Sequence, residues 1–312
     1  MRAIVAALVS AFVFGGLSEA SAEWKITKDH WSQEDEEGFS RFVEAIGESD
    51  CQTPKECFKD ASNPYRDSDP GDLLLDGDCA DFVYQLRGYY AWKNGLPFAH
   101  SLALSPQEGS AGDMRFNANG NKIVAWRGFL SWRPGFNAAE MLNQLGDHVS
   151  SATFRVAPNS DRGFGVSDFY TPKIARGSIR PGTAIYDING HVAIVYKIEF
   201  DGQVRYMDSH IDRTLSRSIF GRQFPRDAPQ LGSGFKNFRP LKLVGYARAD
   251  DGSLTNGQFA FSTNAEIPDF SQEQYFGNDP ALQADWKAAK FLIGGVDVGF
   301  YEFVRRQLST AD

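Results

Sequence analysis

The chain has 312 residues, of which 42% are hydrophobic and 23% are charged, proportions that are ordinary for a globular protein. Its formal net charge is −8, and no cluster of Lys and Arg stands out that could neutralise phosphates, so the composition disfavours a nucleic-acid partner. The length is sufficient for one large domain or two smaller domains with a well-filled core.

The first 22 residues have the pattern of a secretory signal peptide. Arg2 gives a short basic start, an apolar run extends from Ala3 to Phe14, and Ala20-Ser21-Ala22 forms a small-residue cleavage site. The apolar run is too short to span a bilayer, and no later segment is long enough to do so. We therefore expect cleavage near Ala22 and a periplasmic or secreted mature protein without a membrane span.

Residues 23–72 are predicted to form an N-terminal extension made of one amphipathic helix and a loop. Ser32 has the position of an N-cap, and the apolar residues that follow share one helix face: Phe39, Phe42, Val43 and Ile46. The segment from Asp50 to Asp72 is rich in Pro, Asp, Ser and Asn, a composition typical of a loop.

The chain contains three cysteines, so at least one of them is unpaired or bonded to another molecule. Cys51 and Cys57 flank a Thr53-Pro54 turn, and a disulfide between them would close a small loop and contribute about 2 kcal/mol to stability. This pairing leaves Cys79 as a free thiol. Two other interpretations stay open: Cys79 could be a buried structural residue, or it could pair with one of the other two cysteines.

Cys79 stands at the predicted start of a helix, within the segment DGDCADFVYQL, and either Asp76 or Asp78 can cap that helix. The apolar side chains after it recur at helical spacing: Phe82, Val83, Leu86, Tyr89 and Tyr90. A thiol in the first turn lies near unpaired N–H groups and the positive end of the helix dipole, which both favour the thiolate. Asp78 and Asp81 act against the thiolate, so a cationic partner is needed.

The segment from His100 to about Arg180 is predicted to be irregular, apart from one helix near Ala138 to Leu145. From Gly182 the pattern becomes that of strands. A short strand covers 184–186, and a β-branched strand covers 191–198.

A tight turn at Asp201-Gly202 then joins the second of these strands to a third, predicted over 204–207. The hairpin brings His191 beside the residues that follow Met207. Provided that the hairpin has no bulge, the residue facing His191 is close to Asp208 or His210.

These residues supply the parts of a cysteine nucleophile. Nucleophilic catalysis by cysteine requires a thiolate, a histidine within hydrogen-bonding reach and a third polar group that fixes the histidine. We expect Cys79 to be the nucleophile, His191 the base and Asp208 the orienting acid, with His210 as the alternative to Asp208. His191 could instead be a core histidine at a strand end, and Asp208 could be a turn-forming acid.

Three short segments carry a resemblance to a known family: GDCADF at 77–82, PGTA at 181–184 and GHVAIV at 190–195. They resemble the papain-like bacterial cysteine hydrolases of the NlpC and CHAP amidase group, and the longer run GHVAIVYKIEFDGQVRYMD is similar to the second CHAP motif. Asp208 falls on the catalytic acid of that family, and His210 falls where the family often has asparagine.

The resemblance implies an α+β, papain-like core in which the helix carrying Cys79 packs on an antiparallel sheet carrying His191. It implies a catalytic domain over 73–250 with an insertion at about 100–180, and a C-terminal extension over 251–312. We expect an exported cysteine amidase or peptidase acting on amide bonds of peptidoglycan stem peptides, without a cofactor or metal. An acyl transferase with the same triad and a non-catalytic envelope scaffold are the alternatives, and the sequence predicts no oligomeric state.

Overall fold

The computed structural model describes residues 22–110, 112–127, 136–161, 166–279, 281 and 285–311. The predicted signal peptide lies outside these residues except for Ala22. No helix in the described ranges is long and apolar enough to cross a membrane. The described chain combines helices with antiparallel strands, as the predicted α+β class requires.

Seven α-helices lie within the described residues: α1 Gln33–Glu48, α2 Pro54–Lys59, α3 Cys79–Lys93, α4 Ala138–Asn143, α5 Ser151–Phe154, α6 Glu273–Phe276 and α7 Phe300–Leu308. The first eight strands are β1 His100–Pro106, β2 Asn121–Arg127, β3 Phe169–Tyr170, β4 Ala184–Asp187, β5 His191–Ile198, β6 Val204–Ser209, β7 Leu215–Ile219 and β8 Gly234–Phe238. Six further strands follow: β9 Leu241–Val244, β10 Ala247–Arg248, β11 Leu254–Thr255, β12 Gln258–Phe261, β13 Leu292–Ile293 and β14 Val296–Asp297.

The main sheet has six strands in the order β3-β8-β4-β5-β6-β7, and every neighbouring pair is antiparallel. The other strands form two-stranded pairs. From β4 to β7 each strand pairs with the next strand in the chain, which makes this part of the sheet a meander. Residues that are well separated in the chain therefore come together at the ends of adjacent strands. The predicted hairpin at Asp201-Gly202 is confirmed, as β5 pairs with β6.

Helix α3 is the central helix of the larger hydrophobic core. Its residues from Ala80 to Trp92 are all buried, including Gln85 and Arg87, so the helix is enclosed on every side rather than along one stripe. The Arg87 guanidinium is compensated by Glu36 of α1, with 2.6 Å between Nη2 and Oε1, and it lies 3.2 Å from the ring centre of Trp31. Burial of this arginine therefore locks α1 against α3.

The N-terminal segment shares the core of α3. Trp24, Ile26 and the predicted apolar face of α1 are buried in the same cluster as Phe82 and Leu86. The predicted disulfide between Cys51 and Cys57 is confirmed, and Cys79 is the free cysteine. Residues 23–72 therefore buttress the helix that carries Cys79.

The segment predicted to be irregular contains an antiparallel hairpin of β1 and β2, so that prediction is wrong for these residues. Strand β1 is only partly buried, and register shifts interrupt its pairing with β2 between Ser101 and Leu104. This irregularity weakens the alternation by which a strand is recognised. The predicted helix after residue 138 is present as α4, and β3 returns the chain to the main sheet.

Candidate active site

Cys79 is the first residue of α3, directly after the N-cap Asp78. The Asp78 side chain accepts a hydrogen bond from the N–H of Ala80 at 3.2 Å, and the Asp81 carboxylate accepts one from the N–H of Asp78 at 3.2 Å. This capping box fixes where the helix begins. The N–H of Cys79 donates to no described group, and the thiol is partly exposed. A reactive sulfur and a free backbone donor therefore stand together.

The loop before Cys79 is pinned at Gly77. The Ser209 hydroxyl of β6 donates to the Gly77 carbonyl at 2.8 Å, and the Gln85 side chain accepts from the Gly77 N–H at 3.1 Å. A Cβ at position 77 would lie 2.5 Å from the Cβ of Asp81, so only glycine fits. These contacts hold the start of α3 against the strand that carries Asp208.

His191 begins β5, and its Nε2 donates to Oδ2 of Asp208 on β6 at 2.8 Å. Asp208 is buried, and its other oxygen, Oδ1, accepts from the Ser216 hydroxyl at 2.7 Å. Ser216 lies directly opposite Asp208 in the pairing of β6 with β7. Both carboxylate oxygens of Asp208 are therefore held, so the acid can fix the orientation of the imidazole.

His210 lies beside this pair without taking the place of Asp208. Its ring is stacked on that of His191 with 5.9 Å between centroids, and its Nε2 is 3.5 Å from Oδ2 of Asp208. A register shift at Tyr196 gives β5 a bulge. When the pairing of Ile194 with Met207 is continued to the start of β5, His191 lies opposite His210, and Asp208 lies diagonally across from His191. The hydrogen bond at 2.8 Å, and not the register, therefore favours Asp208 as the partner of His191.

The groups around His191 favour its protonated form. Burial lowers the pKa of His191, but hydrogen bonds with Asp208 and Cys79, together with the negative charges of both groups, outweigh burial and raise the pKa to about 10. Since Asp208 occupies Nε2, Nδ1 is the ring nitrogen left for the sulfur. Asp78 and Asp81 act against a thiolate at Cys79, and an imidazolium at His191 is the cation that would offset their charges.

Asp81 opposes the thiolate less than its sequence position suggests. Burial raises the pKa of its carboxyl, the charge of Asp78 raises it further, and the charge of Arg213 acts in the opposite direction, with a result of about 7. At neutral pH this carboxyl therefore carries only part of a negative charge.

Two further elements approach Cys79 that no sequence motif indicated. Arg115, in the loop between β1 and β2, lies close enough for the charge of Cys79 to help raise the pKa of its guanidinium, although its hydrogen bonds to Asp113 dominate that rise. Burial raises the pKa of the Tyr186 phenol, and the charge of Cys79 adds to the rise. Tyr186 accepts a hydrogen bond from Arg155 at 3.2 Å, so its own proton is available to another acceptor.

A concavity elsewhere on the described surface contains none of these reacting groups. A concavity of about 730 Å³ lies where α1 ends, between Gly47, Tyr196 and Arg217, and it includes none of Cys79, His191 or Asp208. No cluster of three or more His, Cys, Asp or Glu side chains suited to a metal ion occurs among the described residues. Comparison of the chain with protein-family models, with curated proteins and with solved structures found no match.

Proposed function

We propose that the protein is an exported cysteine hydrolase, an amidase or peptidase with Cys79 as nucleophile, His191 as acid–base and Asp208 as the residue that orients His191. The observation that carries the proposal is the position of His191, which bonds to Asp208 at 2.8 Å and lies close enough to Cys79, in the first turn of α3, for the sulfur to help raise the pKa of the imidazole. A cysteine, a histidine and an acid in this sequence of contacts are the groups that nucleophilic acyl transfer requires.

The arrangement of elements supports the resemblance to papain-like NlpC and CHAP hydrolases. The helix that begins at Cys79 packs on β5, and an antiparallel sheet carries His191 and Asp208 on adjacent strands. In that family the same order of elements supports amide hydrolysis. By this resemblance we propose a papain-like core, with the hairpin of β1 and β2 inside the inserted segment.

The reaction follows from the positions of these groups. The Cys79 thiolate attacks the amide carbonyl, and the carbonyl oxygen develops negative charge that the free N–H of Cys79 can stabilise, with the Tyr186 hydroxyl as a candidate side-chain donor. The His191 imidazolium then gives its proton to the leaving amine as the C–N bond breaks. Neutral His191 next takes a proton from water, which attacks the thioester and releases the acid with Cys79 as thiolate.

We propose peptidoglycan stem peptides in the periplasm as the substrate, on the strength of the family resemblance. The disulfide between Cys51 and Cys57 supports an oxidising compartment, where disulfides persist. The pattern of residues 1–22 supports export by the same reasoning.

Incubation of the purified protein with isolated peptidoglycan and with a γ-glutamyl peptide tests the proposal. We expect release of new free amino groups, measured by derivatisation and mass spectrometry of the products. Repeating the assay with an added amine separates hydrolysis from acyl transfer, because a transferase would give the amide of the added amine as the main product. Absence of both products from either substrate, with a folded protein, would favour a non-catalytic scaffold.

A further inference from the structure

The turn between β6 and β7 holds Arg213 in a left-handed backbone conformation, with φ of 68°. The N–H of His210 donates to the Thr214 carbonyl at 2.8 Å, and the N–H of Arg213 donates to the His210 carbonyl at 2.9 Å. Such a conformation is uncommon for a residue with a long side chain and carries a conformational cost. The turn therefore holds the arginine side chain at a defined place next to His210.

The Arg213 guanidinium makes no hydrogen bond and no ion pair within the described chain, although its Nη1 atom is buried. The adjacent carboxylate does not compensate it, because Asp212 accepts instead from the N–H and the hydroxyl of Thr214, at 3.0 and 2.7 Å. Buried donors of arginine are normally paired. An unpaired guanidinium offers a planar set of N–H donors that matches a carboxylate.

Arg213 lies on the turn that bonds back to His210, next to the candidate active site. Its charge acts on the carboxyl of Asp81, in the first turn of α3, and it follows His210, whose ring stacks on His191. Arg115 approaches Cys79 as well, but its guanidinium is occupied by Asp113, with 2.6 Å between Nη2 and Oδ2. Of these two arginines, Arg213 is the one whose guanidinium has no partner among the described residues.

Apolar side chains near Cys79 are exposed on the same elements as these two arginines. Ile211, on the turn of Arg213, is 88% exposed, and Phe116, next to Arg115, is 55% exposed. A Cβ at Gly190, the residue before His191, would lie 3.2 Å from the Phe116 ring, so that ring borders the histidine. Apolar walls with one free cationic anchor are typical of a site that orients a small organic anion.

We propose that Arg213 binds a carboxylate of the substrate next to the scissile amide, so that amides with a free carboxylate near the cleaved bond are preferred over amides without one. The inference rests on the proposed function, in which Cys79 is the nucleophile. A bidentate pair with the guanidinium would hold the acyl group in one orientation over the sulfur.

Alkylation of Cys79 by two small reagents tests this inference without a turnover assay. Iodoacetate and iodoacetamide react alike, as the thiolate displaces iodide from a CH₂ group, but only iodoacetate carries a carboxylate beside the reacting carbon. The ratio of their rates is measured by mass spectrometry for the wild type and for Arg213→Asn. Asparagine tolerates the left-handed conformation, so the turn should be preserved.

We expect the rate ratio, iodoacetate over iodoacetamide, to be about tenfold higher in the wild type than in Arg213→Asn. In Arg248→Gln, the matched control, the ratio should stay within about twofold of the wild type, because this exposed arginine of β10 bonds to the Gly252 carbonyl and to no group of the candidate site. The wild-type ratio should also exceed that of glutathione, a comparison that does not depend on any variant folding. An unchanged ratio in Arg213→Asn, or equal slowing of both reagents, would overturn the inference.

The same data separate this inference from the proposed function. Slow alkylation of wild-type Cys79 by both reagents would contradict the nucleophile itself. Fast alkylation by both reagents, with a rate ratio that does not depend on Arg213, would support Cys79 as the nucleophile and contradict a carboxylate-binding site at Arg213.

Discussion

Replacing Cys79 with serine, or His191 with alanine, should lower kcat/KM for amide hydrolysis by about 10⁴-fold or more. Serine keeps the shape of the side chain but is not ionised near neutral pH, so the nucleophile is lost. Alanine at 191 removes the cation that holds the thiolate and the proton donor for the leaving amine. The measurement is the initial rate of amine release from a γ-glutamyl peptide by each variant.

The matched control is His30→Ala. His30 also pairs with a carboxylate, with 2.7 Å between its Nδ1 and Oδ1 of Asp29, but this pair is exposed and contains no cysteine. We expect near wild-type activity from it. Equal activity of Cys79→Ser and the wild type would remove Cys79 from the mechanism, and a retained rate in His191→Ala would remove His191.

Asp208→Asn should lower kcat/KM by about 10²-fold and move the alkaline limb of its pH profile to lower pH. The direction follows from the pKa of His191, which Asp208 helps to raise above its ordinary value of about 6.5. Without the carboxylate the imidazolium loses its proton at lower pH, so the ion pair with Cys79 ends earlier. The shift should be about one pH unit or more, measured as kcat/KM between pH 5 and pH 10.5.

The same raised pKa links His191 to stability. The stabilisation from the imidazolium is fully present below the unfolded pKa, about 6.5, and is lost as the pH rises through the folded value of about 10.

The control for the pH profile of kcat/KM is Asp29→Asn, which breaks the exposed pair with His30 and should leave that profile as in the wild type. An alkaline limb in Asp208→Asn at the wild-type position would mean that another group, such as His210, orients His191.

The sequence predicted the parts of the site that depend on local pattern. The capped helix at Cys79, the hairpin that joins His191 to Asp208 and the pairing of Cys51 with Cys57 all follow from short-range rules, and the structure contains each of them. The choice between Asp208 and His210 needed coordinates, because a bulge at Tyr196 shifts the register by one residue.

The elements that the sequence missed owe their structure to tertiary contacts. Strand β8 contains Lys236 and Asn237 after a glycine-rich run, which favours a loop, yet both side chains are buried, and the strand lies between β3 and β4 in the main sheet. Asn237 is satisfied there by the Thr183 hydroxyl at 2.7 Å and the Ser178 carbonyl at 2.8 Å. Partners this distant in sequence leave no periodic signal.

The central claim is that His191 activates Cys79 as a nucleophile, and alkylation of Cys79 by iodoacetamide tests it most directly. Cys51 and Cys57 are bonded to each other, so the label reports on Cys79 alone. We predict that the wild type reacts at about pH 7 at least about tenfold faster than His191→Ala. Equal rates in the two folded proteins would contradict the account.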